Sequence, residues 1–106
     1  MSPITVKHSK EGSLVSCSGR TIQLCQKNAA EKVLQLMLKK GFINKDMIVK
    51  TLYDRSYSAE NDDKLIYYHM YGVRDLLNQV GLPRNSIENK DSIYKLTPEV
   101  ILENEK

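Results

Sequence analysis

The stretch that decides the fold is LIYYHMYGVRDLLNQVGL, residues 65–82. An α-helix turns by roughly 100° per residue, so residues three and four positions apart share a face. At that spacing, one set of apolar side chains falls within about 40° of the first of them and predicts a helix with a buried stripe. The stripe consists of Ile66, Met70, Val73, Leu77 and Val80.

A second face of this helix carries aromatic and polar residues and points away from the stripe. It lies about 80° to 140° from Ile66 around the helix, and its members are Tyr67, Tyr71, Arg74 and Asn78, with Lys64, Tyr68 and Asp75 beyond them. Two interpretations stay open for Tyr67 and Tyr71: they face solvent, or they pack on a partner. Tyr68 is expected to pack against the sheet or a loop, and His69 to be half-buried at the edge of the stripe.

The first part of the chain predicts a small antiparallel sheet. Three short alternating segments, ITVKH, SLVSC and RTIQL, are typical of half-buried strands, and Ser18-Gly19 provides a tight turn between the last two. Cys17 and Cys25 would then lie at non-opposed positions of neighbouring strands, which argues against a disulfide, and their spacing fits no metal site.

Two further helices are predicted between the sheet and the deciding stretch. In NAAEKVLQLMLKKG the apolar residues recur at helical spacing, and Gly41 marks the end. In FINKDMIVKTLYD, Asn44 is a suitable N-cap and Asp46 an acidic residue of the first turn. The polar loop RSYSAENDD follows, and the third helix is expected to begin near 61–63 and to end at Gly81 and Pro83.

The C-terminal part predicts a β-hairpin and a tail. The strands SIE and SIYKL are separated by the polar turn NKD. We therefore predict an α+β domain over 1–98 and an acidic tail over 99–106. The apolar run at 100–102 either helps to form a dimer or closes the sheet.

Composition excludes several classes of protein. The chain is 41% hydrophobic and 27% charged, with a mean hydropathy of -0.45, and it has no apolar run of the roughly 18 residues that a membrane span needs. The N-terminus has no secretory signal pattern, so a cytoplasmic protein without a membrane partner is expected. His8 and His69 fall in different elements, and neither a phosphate-binding loop nor a nucleophile motif occurs. We expect no enzyme activity, no cofactor and no metal.

Charge is unevenly distributed along the chain. Residues 1–60 hold ten Lys or Arg against five Asp or Glu, whereas residues 61–106 hold six against eight. A basic first half is compatible with nucleic-acid binding but does not require it.

The order of the elements and several motifs carry a resemblance. A sheet, two helices, a loop, a third helix and a hairpin form a winged helix-turn-helix. GRTIQL, EKVLQLMLKKGFINKDMIVKTLYD, IYYHMYGVRDLL and SIENKDSIYKL follow one another in that order. In this the chain resembles the OmpR/PhoB-type (ToxR-like) DNA-binding domain of bacterial transcriptional regulators. The third helix has fewer basic residues than is usual for that family, since Tyr71, Gly72 and Asp75 stand near positions that are often basic.

The resemblance implies a sequence-specific regulator of transcription that binds double-stranded DNA. The third helix would enter the major groove, the hairpin would act as a wing, and the loop RSYSAENDD would be available to RNA polymerase or a partner regulator. Such regulators usually pair on two half-sites, so a homodimer on DNA is expected. The implied DNA-binding residues are Lys64, Tyr67, Tyr71, Arg74, Asn78, Lys90 and Lys95, with Lys90 at the tip of the wing.

A second hypothesis keeps the fold and changes the partner. Exposed aromatic side chains are also typical of protein interfaces. The same tyrosine face would then bind another regulator or RNA polymerase without contacting DNA.

Overall fold

The strands and helices follow one another in the order that the sequence predicts, with two additional short strands. The computed structural model describes residues 4–9, 12–17, 19–25, 27–82, 86–97 and 102–105. Within these residues the chain is α+β, with three helices and two small sheets. The elements are β1 (Ile4–Ser9), β2 (Gly12–Cys17), β3 (Arg20–Leu24), α1 (Ala29–Lys40), β4 (Ile43–Asn44), α2 (Lys45–Tyr53), α3 (Ala59–Gln79), β5 (Ile87–Lys90), β6 (Ile93–Leu96) and β7 (Leu102–Glu105).

The N-terminal sheet has the strand order β3-β2-β1-β7. Strands β1, β2 and β3 form the predicted antiparallel meander, in which Cys17 pairs with Arg20 across a turn and Gly19 has a φ of 84°. Apolar side chains at alternating positions are buried on one face, as in Val6 and Val15. Cys17 and Cys25 are free thiols, as expected.

Residues 102–105, within the segment predicted as an acidic tail, belong to the N-terminal sheet. These residues form β7, which runs parallel to β1 with Leu102 opposite Ile4 and Glu105 opposite Lys7. Strand pairing uses backbone N–H and C=O groups, and charged side chains are common on edge strands, so the acidic sequence concealed the strand. Of the apolar run, Val100 and Ile101 lie outside the described residues.

Helix α1 has an asparagine cap at its start and ends at the predicted Gly41. The Asn28 side chain accepts a hydrogen bond of 2.9 Å from the backbone N–H of Glu31. At the other end Gly41 adopts a φ of 87°, and its N–H donates to the carbonyl of Met37 at 2.8 Å. A left-handed C-terminal residue favours glycine because no Cβ is strained there.

The start of α3 lies earlier than predicted. The helix begins at Ala59, after Ser58 at the N-cap position, whereas the acidic and capping residues at 61–63 suggested a later start. Asp62 is instead one turn inside the helix, where its side chain accepts a hydrogen bond from the Ser58 N–H at 2.8 Å. An acidic residue within the first turns favours a helix N-terminus just as a cap does, so the two positions are hard to separate in a sequence.

The second sheet has the order β4-β6-β5 and contains the predicted hairpin. Its turn is at Asp91-Ser92, where φ is 54° and 65°, two residues after the predicted NKD turn begins. Two consecutive residues with positive φ are typical of the type I′ turn that joins strands directly, and Asp tolerates this conformation. Lys90 is therefore the last residue of β5, paired with Ile93, and it stands beside the turn rather than in it. The two-residue strand β4 was not predicted.

One hydrophobic core joins the helices to both sheets. The predicted α3 stripe is entirely buried, as confirmed by Ile66, Met70, Val73, Leu77 and Val80. Helices α1 and α3 approach closely because Gly72 has no side chain: a Cβ at that position would stand 3.0 Å from the Cβ of Ala30. In the described part of the chain, no helix combines the length and the apolar character that crossing a membrane requires.

Candidate nucleic-acid interface

The outward face of α3 is the most prominent aromatic surface of the described structure. Tyr67 is 76% exposed and Tyr71 is 54% exposed, although the stripe on the other side of the helix is buried. This confirms the sequence prediction that the two rings face away from the core. Because a contiguous exposed apolar patch marks an interaction site more often than single exposed residues do, this face is the first candidate for an interface.

A cleft of about 220 Å³ separates this face from the hairpin. It is lined by Tyr67, Met70, Tyr71, Arg74, Asn89 and Tyr94. Asn89 is directly opposite Tyr94 in the hairpin, which puts both residues on the same face of the sheet. Asn89 was not among the predicted site residues, because the predicted turn NKD included it. A turn at 91–92 would have placed Asn89 in the strand, opposite Tyr94.

Arg74 links α3 to the hairpin. The Nη1 of Arg74 donates to the backbone carbonyl of Ile87, the first residue of β5, at 3.3 Å. The side chain is half-buried and also lines the cleft. It therefore fixes the hairpin beside the helix, and its positive charge lies within the candidate interface.

The Asn78 side chain forms a hydrogen bond at the end of α3. Its Nδ2 donates to the carbonyl of Leu82 at 3.1 Å, just beyond the last helical residue. The backbone there closes with hydrogen bonds from Gly81 to Asn78 and from Leu82 to Leu77. In this arrangement the amide stabilises the helix terminus, away from the cleft.

Replacing Asn78 with alanine tests this assignment. We expect the free energy of unfolding to fall by about 0.5–1 kcal/mol, since one hydrogen bond is lost and helix propensity is partly regained. Urea titration followed by circular dichroism measures it. A large loss of DNA affinity at unchanged stability would instead return Asn78 to the set of groove contacts.

The three predicted lysines are exposed but are not gathered around the cleft. Lys64 lies on the N-terminal half of α3, and Lys90 and Lys95 lie on the hairpin. Since side chains alternate across a strand, Lys90 and Lys95 are on the face opposite Asn89 and Tyr94. Neither side chain lines the cleft, so the structure does not bring these two predicted residues together with Tyr67 and Tyr71.

A cluster of aromatic and cationic side chains lies beside the start of the tyrosine face. The hydroxyl of Tyr53 and Nε2 of His69 are 2.8 Å apart, and the guanidinium of Arg55 lies 5.4 Å from the centre of the Tyr53 ring. The half-buried position of His69 agrees with the sequence prediction. Tyr68 is 74% exposed, so its expected packing against the sheet or loop is wrong; its ring meets the edge of His69 at 5.8 Å instead. The residue lies about 200° from Ile66 around the helix, too far for either element to cover it.

The environment of His69 predicts a pH dependence of stability. Partial burial lowers the pKa of His69 below its ordinary value of 6.5. The unfolded chain therefore binds a proton at His69 more readily than the folded one does. The contribution of His69 to the free energy of unfolding is complete above pH 6.5 and is lost as the pH falls below it. Thermal melts of wild type and His69→Gln on both sides of that pH should show a smaller pH dependence in the variant. Equal pH dependence in both proteins would contradict this account.

Ion pairs position the beginning of α3 against the preceding loop. Arg55 donates through Nη1 and Nη2 to the two carboxylate oxygens of Asp62, at 2.8 Å and 2.6 Å. Asp62 is fully buried, and these bonds, followed by the bond from the Ser58 N–H, lower its pKa to about 2. Lys45 pairs with Asp63 at 3.1 Å, and the Tyr57 hydroxyl donates to the same carboxylate.

Among the residues that the structure describes, no group of three or more His, Cys, Asp or Glu side chains is arranged to hold a metal ion. Comparison with protein-family models, with curated proteins and with solved structures finds no match for this chain. The assignment of a function therefore depends on the geometry of the tyrosine face and its flanking hairpin.

Proposed function

We propose that this chain is a DNA-binding transcriptional regulator of the winged helix-turn-helix type. Helices α2 and α3 form the helix-turn-helix, and the hairpin of β5 and β6 is the wing. The observation that carries the proposal is the exposed face of α3, a helix of 21 residues, lying directly beside that hairpin. An exposed helix of this kind is what the major groove of B-DNA accommodates, with a wing positioned for a second contact.

Each residue of the interface has a distinct role in this proposal. Tyr67 and Tyr71 contact thymine methyl groups with their rings and phosphate oxygens with their hydroxyls. Lys64 binds a phosphate beside the groove, and Lys90 and Lys95 bind the backbone next to the wing. Arg74 holds the wing in place and adds positive charge to the cleft. The regulator would act in the bacterial cytoplasm as a homodimer on two half-sites, with the loop between α2 and α3 open to RNA polymerase.

Few cationic side chains lie near the tyrosine face of α3, so we expect DNA affinity to fall only gradually as the salt concentration rises. Each phosphate contact contributes about 0.9 to the slope of the logarithm of affinity against the logarithm of salt concentration. Fluorescence anisotropy with a labelled AT-rich duplex measures that slope. We expect Lys64→Glu to weaken binding and to reduce the slope by about one.

Lys40→Glu is the matched control for that experiment. Lys40 is an exposed lysine in the last turn of α1, so its reversal changes the net charge equally without touching α3. An equal loss in both variants would mean that only overall charge attracts DNA. Failure of the wild type to bind any duplex at low salt would overturn the proposal.

A second function, a protein-interaction module, is favoured by one observation. A larger cleft of about 420 Å³ lies between the start of α1 and α3, and its lining includes Tyr68, Tyr71, Gly72 and Asp75. Together with Tyr67 it makes a continuous aromatic surface with an acidic member, which suits a regulator or polymerase subunit better than a phosphate backbone. Binding of such a partner at unchanged affinity in Lys64→Glu would favour this alternative.

A further inference from the structure

The side-chain amide of Gln35 is buried beside the cleft between α1 and α2 and has no hydrogen-bond partner among the described residues. Gln35 is 3% exposed, and within the described residues neither its Nε2 nor its Oε1 has a partner. Buried polar groups are nearly always hydrogen-bonded, and an exception in a folded protein calls for an explanation. Gln35 lines a cleft of about 320 Å³ between α1 and α2.

The cleft is positively charged at both ends. Its other lining residues are Lys32, Leu36, Lys39 and Thr51. Lys32 and Lys39 are two helical turns apart on one face of α1, about 10 Å along the axis. The ion pairs of the described structure join Lys45 to Asp63 and Arg55 to Asp62, so neither lysine of the cleft takes part in one.

We propose that this cleft binds an extended acidic segment of a partner protein. Two carboxylates of the segment, three residues apart, pair with Lys32 and Lys39, and a backbone peptide group between them bonds with Gln35. A carboxamide offers one acceptor and a donor, which matches the N–H and C=O of a peptide group. The carboxamide atoms lie below the surface of the cleft, so the Gln35 side chain rotates to meet the segment.

The geometry selects an extended segment over a helical one. In the polyproline II conformation, side chains three residues apart project to the same side, about 9 Å from one another, and the backbone makes no internal hydrogen bonds. That spacing fits the two lysines. The interior peptide groups of an α-helix bond to each other and leave nothing for Gln35.

This site is independent of the proposed DNA interface. The α1–α2 cleft shares no lining residue with the cleft between α3 and the hairpin. Both can be filled at once, so an acidic partner would be recruited to the chain while α3 is engaged.

A labelled peptide, Pro-Glu-Ala-Ala-Glu-Pro, tests the proposal by fluorescence anisotropy on the full chain, with Pro-Gln-Ala-Ala-Gln-Pro as the uncharged control peptide. We expect the glutamate peptide alone to bind saturably. Lys39→Ala should weaken it about tenfold, as expected for one charge-assisted hydrogen bond. Lys40→Ala, the matched control in the same helical turn but outside the cleft, should change the affinity less than about twofold.

Gln35→Leu separates a binding role from a structural one. Removing the unpartnered amide should raise Tm, because the buried polar group is gone, yet weaken the peptide about tenfold, because its hydrogen bonds are lost. A purely structural residue would change Tm alone, and that result would overturn the peptide contact. Absence of saturable binding, or equal losses in Lys39→Ala and Lys40→Ala, would overturn the site. Concentration-dependent self-association that disappears in Lys39→Ala would show that a second copy occupies the cleft, which also overturns the proposal.

Discussion

Asp62→Ala is expected to lower Tm by at least roughly 10 °C, the largest stability effect that we expect from a single polar substitution in this chain. The buried carboxylate accepts two hydrogen bonds from Arg55 and one from the Ser58 N–H. Its removal leaves the first turn of α3 unattached to the α2–α3 loop. Differential scanning calorimetry measures the change.

Asp63→Ala is the matched control, because Asp63 is the next residue and also forms an ion pair. Its side chain is 50% exposed, whereas that of Asp62 is inaccessible. Exposed ion pairs contribute little, so we expect Tm to fall by no more than a few degrees. Equal decreases in the two variants would contradict the assignment of Asp62 as the anchor of α3.

The Asp62 carboxylate also determines how the free energy of unfolding changes at acidic pH. Because the pKa of Asp62 is lowered from 3.8 to about 2, the folded chain holds its proton less readily than the unfolded one. The contribution is complete above pH 3.8 and is lost as the pH falls from there toward 2. Over that interval the stability of wild type should decrease more steeply than that of Asp62→Ala.

Replacing both Tyr67 and Tyr71 with alanine is expected to lower DNA affinity about a hundredfold, since two base-edge contacts of about 1–3 kcal/mol each are lost. Both rings are exposed and lie outside the core, so Tm should change little. Fluorescence anisotropy with the AT-rich duplex measures the affinity, and a melting curve measures the stability.

Tyr68→Ala is the control for the tyrosine pair. Tyr68 is about as exposed as Tyr67 and belongs to the same helix, but it lines the cleft beside α1 instead of the one beside the hairpin. We expect its loss to leave DNA affinity within about twofold of wild type. The reverse pattern, with DNA affinity lost in Tyr68→Ala and kept in the double variant, would contradict the assignment of Tyr67 and Tyr71 as the groove contacts.

Side-chain periodicity made the helices predictable. The stripe from Ile66 to Val80 and the outward direction of Tyr67 and Tyr71 follow from the 3.6-residue repeat alone. The N-cap Asn44 fixed the start of α2 because few residue types satisfy a helix N-terminus.

Features that depend on backbone pairing were not predictable in the same way. β4 has only two residues, too few for a pattern, and β7 is acidic, so neither presents the alternation of a strand. The hairpin turn was predicted too early in the sequence, because Asp91 and Ser92 are ordinary residues that adopt positive φ only in the folded turn. The placement of Asn89, Lys90 and Lys95 relative to the cleft depends on where that turn lies. The hydrogen bond from Arg74 to Ile87 depends on a tertiary contact that no local pattern shows.

The most direct test of the central claim, that α3 and the hairpin bind DNA, is an NMR titration of the ¹⁵N-labelled chain with an AT-rich duplex at low salt. We expect the largest changes in amide chemical shift at Lys64, Tyr67, Tyr71 and Asn89. Changes at Lys32 and Lys39, which line the α1–α2 cleft, should be small. Shift changes confined to the α1–α2 cleft, or none at all, would contradict the account.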